Sequence, residues 1–137
     1  MADLVLTPAT VLPGDGAQLT NGIAGVALAP GDVVALDGPT QRYVLATSTT
    51  LLGAKVKGVC CCTAAPEQPM RLQTGGVLDL GGEVLTIGEV YCLSGLTPGK
   101  IGPIADVTSG DFTTILGVAT ATNLLALKIW QTDVQKA

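Results

Sequence analysis

The chain has 137 residues, of which 47% are apolar and only 13% charged, and its formal net charge is −4. That length fits one domain with ample material for a core. Seven scattered basic residues exclude a nucleic-acid surface, which needs several cations on one face, and the absence of histidine removes the commonest general base and metal ligand.

Aromatic residues are limited to Tyr43, Tyr91, Phe112 and Trp130, so the core must be aliphatic. The charged share is about half that of ordinary soluble domains. Such a surface resists association poorly, so much of it is expected to be covered by copies of the chain or by partners. Residues 1–20 lack a basic leader segment and carry Pro8, Pro13 and Gly14. No unbroken apolar run reaches the ~18 residues of a membrane span. The expectation is a protein made and kept in a cytoplasm, without membrane contact and with reduced thiols.

In chain order, residues 1–21 combine Pro8, Pro13, Gly14 and Gly16 with the apolar patch Leu4-Val5-Leu6. Two readings stand side by side: an extended arm that lays Leu4, Val5, Leu6, Val11 and Leu12 on a partner or a sister copy, or an edge strand of the same domain. The division adopted is an arm over 1–21 and one β domain over 22–137. From there the chain shows short Val/Leu/Ile/Thr runs bounded by Gly, Pro, Asp and Ser, the pattern of a sandwich or barrel. Strands are predicted at Ile23–Ala27, Val33–Leu36, Tyr43–Ala46, Gly53–Cys60, Met70–Thr74, Val77–Leu80, Val84–Thr86, Val90–Leu93, Ile101–Pro103, Thr114–Thr120 and Leu124–Trp130. Gly75-Gly76 reads as a hairpin turn. In the last strand Leu125, Leu127 and Ile129 share one face, and Leu124, Ala126, Lys128 and Trp130 the other. Trp130 is a candidate interface anchor or core plug.

The sequence echoes itself. Leu28, Gly31, Asp32, Val33, Leu36 and Gly38 recur 57 residues later as Leu85, Gly88, Glu89, Val90, Leu93 and Gly95. Gly58-Val59 recurs as Gly117-Val118, 59 residues on. The implied architecture is two similar β units, each unable to bury its apolar face alone.

Groups able to carry chemistry are sparse. The carboxylates mostly occupy turns, where Asp bonds its own backbone. Asp32 and Glu89 hold equivalent places in the echo and are the one candidate acid pair. Cys60-Cys61-Cys62 sits on a predicted strand, so Cys60 and Cys62 share a face that Cys61 opposes. With Cys92 as the remaining cysteine, no pair of separated chelates forms, and the cysteines read as small apolar residues rather than zinc ligands. Gly14-Asp15-Gly16, Gly75-Gly76 and Gly81-Gly82 lack the following helix, Lys and Ser/Thr of a phosphate loop and read as turns. No cofactor, metal or catalytic residue is expected, and the chain is read as a non-enzyme.

Three segments carry a resemblance: Gly88-Glu89-Val90-Tyr91-Cys92-Leu93-Ser94, then Thr97-Pro98-Gly99-Lys100-Ile101-Gly102-Pro103, then Gly110-Asp111-Phe112-Thr113-Thr114-Ile115-Leu116-Gly117-Val118-Ala119-Thr120. Together, over residues 84–132, they resemble the closing segment of the tailed-bacteriophage capsid decoration, or cement, proteins. They are also similar to modules of phage head fibres. Pro30-Gly31-Asp32-Val33-Val34 fits more loosely, and Cys60-Cys61-Cys62 and the N-terminal segment have no counterpart. The resemblance implies a β-sandwich or jelly-roll-like domain on the exterior of a virion capsid. Many copies would bridge neighbouring subunits of the major capsid protein lattice, as dimers or trimers. The arm residues Leu4, Val5, Leu6, Val11 and Leu12 would then touch capsid or sister subunit. The alternative is a head-fibre or tail-fibre module binding a receptor or glycan, which would want exposed aromatic residues. An enzyme would need Asp32 or Glu89 beside a pocket.

Overall fold

The structure is a computed structural model that describes residues 4, 11–50, 53–82, 84–94, 97–104 and 110–135. Val5 and Leu6 of the expected arm and Gly95 of the echo lie outside the described residues. Within them the fold is all-β and sandwich-like, with no α-helix. Its ten strands are β1 (Leu12–Pro13), β2 (Gln18–Ile23), β3 (Val33–Asp37), β4 (Arg42–Leu45), β5 (Val56–Cys60), β6 (Pro69–Asp79), β7 (Val90–Leu93), β8 (Ile101–Pro103), β9 (Phe112–Ala119) and β10 (Leu124–Gln135). They form one curled sheet in the order β4-β3-β5-β6-β10-β9-β7-β8, with β1 and β2 added along β6. The curl brings β2 back to β4: Ala24 bridges Tyr43 in parallel, and Gly25 N donates to the Tyr43 carbonyl at 2.8 Å.

Gly75-Gly76 is not a hairpin turn. β6 runs straight through it and bends, serving β5 and β2 with its first half and β10 and β1 with its second. The cause is local. Gly76 sits at φ +80, where a Cβ would run into the Gly16 carbonyl. A register slip leaves Thr74 bulged, since Gln18 faces Gly75 but Leu19 faces Gln73. The Gln73 amide then donates to the Gly75 and Val77 carbonyls at 3.0 and 2.8 Å, replacing ladder bonds lost at the bend.

The expected arm also needs correction. Val11 is 2% exposed and belongs to the main core. β1 and β2 pair with β6. From residue 11 onward the segment is therefore edge strand rather than free arm. β2 escaped the periodicity reading because its residues Gln18–Asn21 are exposed, and its place is fixed by backbone pairing alone. Val84–Thr86 is not a strand either: Leu85 N bonds the Thr122 carbonyl at 2.9 Å and one side chain, Leu85, is buried, which mimics a strand's apolar signal.

The sequence echo is a structural repeat. In the first unit Val33 pairs Val59, Val34 pairs Gly58 and Ala35 pairs Val56, with a bulge after Val34. In the second Val90 pairs Val118, Tyr91 pairs Gly117 and Cys92 pairs Ile115, with a bulge after Tyr91. The flanking bonds match as well. Gly31 N donates to the Cys60 carbonyl and Gly88 N to that of Ala119, both at 2.9 Å, while Cys60 N and Ala119 N return to Asp32 and Glu89 carbonyls. Gly31 and Gly88 both have positive φ. Gly58 and Gly117 must both lack a side chain, since a Cβ would meet the Gln73 or Ala126 carbonyl on the next strand. Gln73 and Ala126 are thus equivalent, as are Leu72 and Leu125.

The two units use this shared plan in opposite senses. In the second unit Tyr91, Leu93, Ala119 and Leu125 point into the main core. Their counterparts Val34, Cys60 and Leu72 in the first unit point into a smaller, separate core with Ala24, Leu28, Ala64 and Met70. The other face of the first unit, Val33, Ala35 and Val59, joins the main core. The bulge at Thr74 explains the reversal. Leu72 and Leu78 are an even number apart yet face different cores, because one inserted residue flips the alternation. The first unit's back therefore packs into the second unit's front, while on the second unit's back Val118 and Trp130 stay exposed and Cys92 is covered.

Candidate interaction surfaces

The uncovered back of the second unit is built in rows across the sheet. The central row runs Val90–Val118–Ala126–Val77 over β7, β9, β10 and β6. One row along, Leu12, Asp79 and Leu124 lie side by side on β1, β6 and β10. On the other side Trp130 and Ile115 align on β10 and β9, and beside them on β7 the fully buried Cys92 closes the patch. Opposed residues of an antiparallel pair project to the same face, so these side chains form one continuous surface. Leu12 is 57% exposed, Trp130 64% and Val118 40%. Two charges flank its central row: Asp79, whose Oδ1 accepts from Gly81 N at 2.8 Å and Asn123 Nδ2 at 3.1 Å, and Lys128, exposed and without an ion pair among the described residues.

A second apolar surface is a groove of about 470 Å³ beside β2, lined by Pro13, Leu19, Asn21, Cys61, Cys62, Pro69, Met70 and Arg71. Leu19 is 42% exposed at its rim. Arg71 Nε donates to Asn21 Oδ1 at 3.2 Å, which leaves the groove's one cation held flat against its wall.

The sequence candidates distribute unevenly over these surfaces. Leu12 and Trp130 share the sheet face, an association the sequence did not reveal because it depends on β1 pairing β6. The alternation expected in β10 holds: Leu125 and Leu127 are buried, while Lys128 and Trp130 are exposed. Trp130 is not a core plug. Val11 faces the main core and is not part of either surface. Leu4 packs partly buried against the main core, and its N–H donates to the Ile101 carbonyl at 2.8 Å on β8. In the sequence Val118 stands out only through the echo and Ala126 only through its place on the outer face of the last strand, and Ile115 and Val77 not at all. Their shared signal, partly exposed apolar residues in register, emerges only once four strands are aligned.

The polar candidates are occupied structurally. Asp32 closes its own turn, accepting from Ala29 N at 3.0 Å, and pairs with Lys100 at 3.6 Å. Neither Asp32 nor Glu89 lines the groove beside β2. All four thiols are free. Cys60 lies in the smaller core with Cys62 packed against it, and Cys61 opposes them half-exposed. Burial pushes the Cys60 thiol up to about 12 and Cys92 up to about 11, and it raises Cys61 as well. These thiols stay protonated at neutral pH and are poor nucleophiles. Among the described residues no three Cys, Asp or Glu side chains gather as a metal site, and no helix is long and apolar enough to cross a membrane. Compared with known proteins, the chain matches no family model and no curated sequence.

Proposed function

We propose that the protein is a structural component of a phage virion that binds the outside of the capsid and bridges neighbouring major capsid subunits. The observation that carries this reading is the pair of apolar surfaces, the sheet face around Val118 and the groove beside β2, on a chain with so few charges. A bridge needs two contact surfaces, and a solitary soluble domain rarely exposes contiguous apolar patches of this kind. Single contacts of this size are weak, but repetition over a lattice turns them into strong retention. The resemblance over residues 84–132 names the lattice as a capsid.

Cosedimentation with assembled, undecorated phage heads tests the proposal, with loose capsid subunits as control. Saturable binding to heads at a simple fraction of the subunit count supports it, and a protein left in the supernatant refutes it. A second reading, a fibre module for a glycan, draws on Trp130, whose exposed ring offers a stacking platform. Quenching or enhancement of the fluorescence of Trp130, the sole tryptophan of the chain, by host surface glycans would favour that reading.

A further inference from the structure

The repeat shows what the uncovered face is built to meet. Its central residues Val90, Val118 and Ala126 are the counterparts of Val33, Val59 and Gln73. In the first unit those three are each 0% exposed. Val33 and Val59 share a core with Leu116, Leu125 and Leu127 of the second unit's sheet. The same face, in the same chain, is thus covered once by β-sheet and left open once.

We infer that the open face is the contact between two copies of this chain, packed back to back about a two-fold axis. The front of the second unit is already filled by the first, and the groove beside β2 is given to a capsid subunit in the reading above, so the back is the face left for a second copy. That makes the contact isologous and closed rather than a growing fibre. The charges agree with this pairing. Asp79 lies one row to one side of the Val118–Ala126 row, and Lys128 lies two residues beyond Ala126 on the other side. An axis through the central row, perpendicular to the strands, sets each Lys128 over the Leu124–Asp79 row of the other copy. It also sets Val118 against Val118, and turns each Trp130 toward the other copy's Leu12 end.

The size of the face sets the strength. Five strands at about 4.8 Å spacing and three rows about 7 Å apart make a patch of roughly 400 Å² of projected area per copy. That is about half of what one partner contributes to a standard stable complex. A pair in the micromolar-to-millimolar range is therefore expected in solution, strengthened when both copies are held on one surface. The inference deepens the capsid reading, because a pair of copies presents two grooves to two subunits. It is tested without capsids.

Sedimentation velocity of the full chain over micromolar to millimolar concentrations should show a monomer–dimer shift, with Trp130 emission moving to the blue along the same curve. Lys128→Asp replaces an exposed side chain, leaves the fold intact by circular dichroism, and should weaken pairing roughly tenfold. Val118→Asp should abolish it, while Leu19→Asp, in the groove, should leave it unchanged. A wild-type chain that stays monomeric throughout, or a dimer indifferent to both Lys128→Asp and Val118→Asp, overturns the inference. Head cosedimentation of the same proteins separates the two claims. Binding by a chain that never dimerises removes the pairing and keeps the capsid reading, and dimerisation without head binding does the reverse.

Discussion

Gln73 is where the fold commits to its bend, and replacing it with leucine tests that reasoning. The side chain is fully buried, and its Nε2 donates to the Gly75 and Val77 carbonyls. Its Oε1 is buried with no partner among the described residues. Leucine fills similar volume and removes both donors. The Val77 carbonyl keeps another bond, from Gly14 N at 2.7 Å, so its loss is small. Stranding the Gly75 carbonyl costs about 1–3 kcal/mol, and relieving the unpartnered Oε1 returns about 1 kcal/mol. The net expectation is a loss of about 1–2 kcal/mol, or roughly 3–6 °C in midpoint for a domain of this size. Thermal and urea unfolding followed by circular dichroism read this directly. Gln73→Glu sharpens the test. An ionised carboxylate would face two carbonyl oxygens, whereas the protonated acid can still donate. Its folded-state pKa must then rise above the unfolded value of about 4.3, so stability is retained below that pH and lost as pH increases. A Gln73→Leu protein as stable as the parent, together with a pH-independent Gln73→Glu, would refute the role given to this amide.

Other expectations follow from the same structure. Cys60 and Cys92 titrate near 12 and 11 when folded against an ordinary 9.0. Between those limits the unfolded chain has released protons that the folded chain keeps, so stability is full below pH 9 and is lost as pH climbs toward 11–12. Cys60→Ala should flatten part of that alkaline decline in a pH series of urea midpoints. Gly117→Ala drives a methyl group into the Ala126 carbonyl, a backbone atom that cannot step aside, and should cost several kcal/mol; Gly58→Ala should do the same against Gln73. Val11→Ala should cost about 1–2 kcal/mol because Val11 fills the core, while Leu12→Ala should change stability by less than about 0.5 kcal/mol. Equal effects at these two adjacent positions would disprove the assignment of β1 to the sheet.

Most of the strands were legible because short apolar runs between turn residues state their own period. Val33–Leu36, Val90–Leu93 and Leu124–Trp130 are of this kind. The repeat was legible too, since Gly31, Gly58, Gly88 and Gly117 are demanded by backbone geometry and not by taste in side chains. Three features were not legible, each for a physical reason. β2 carries no apolar alternation, so only the neighbouring backbone of β6 defines it. The bend in β6 looks like a hairpin because two glycines serve either outcome, and the choice is made by Gln73 and the Gly16 carbonyl. The sheet face could not be read from any one strand, since Leu12, Val77, Val118 and Trp130 become neighbours only through pairings far apart in sequence.

The reversal at Thr74 connects fold to function. Had β6 kept its alternation, Leu72 and Leu78 would face one way, and both repeat units would present their fronts to the same side of one continuous sheet. Their backs, Val33, Val59 and Gln73 with Val90, Val118 and Ala126, would then be exposed together, a broad apolar surface on a chain with few charges. The inserted residue instead turns the first unit so that its back is buried against the second unit's front. A main core of sufficient depth results, with Leu78, Leu116 and Leu125 fully buried in it. One back is left over, because two units packed front to back always leave one. That remainder is the face on which the pairing of two copies is proposed. Its charge layout, with Asp79 at one side and Lys128 at the other, matches a copy of itself better than it matches a surface of uniform sign.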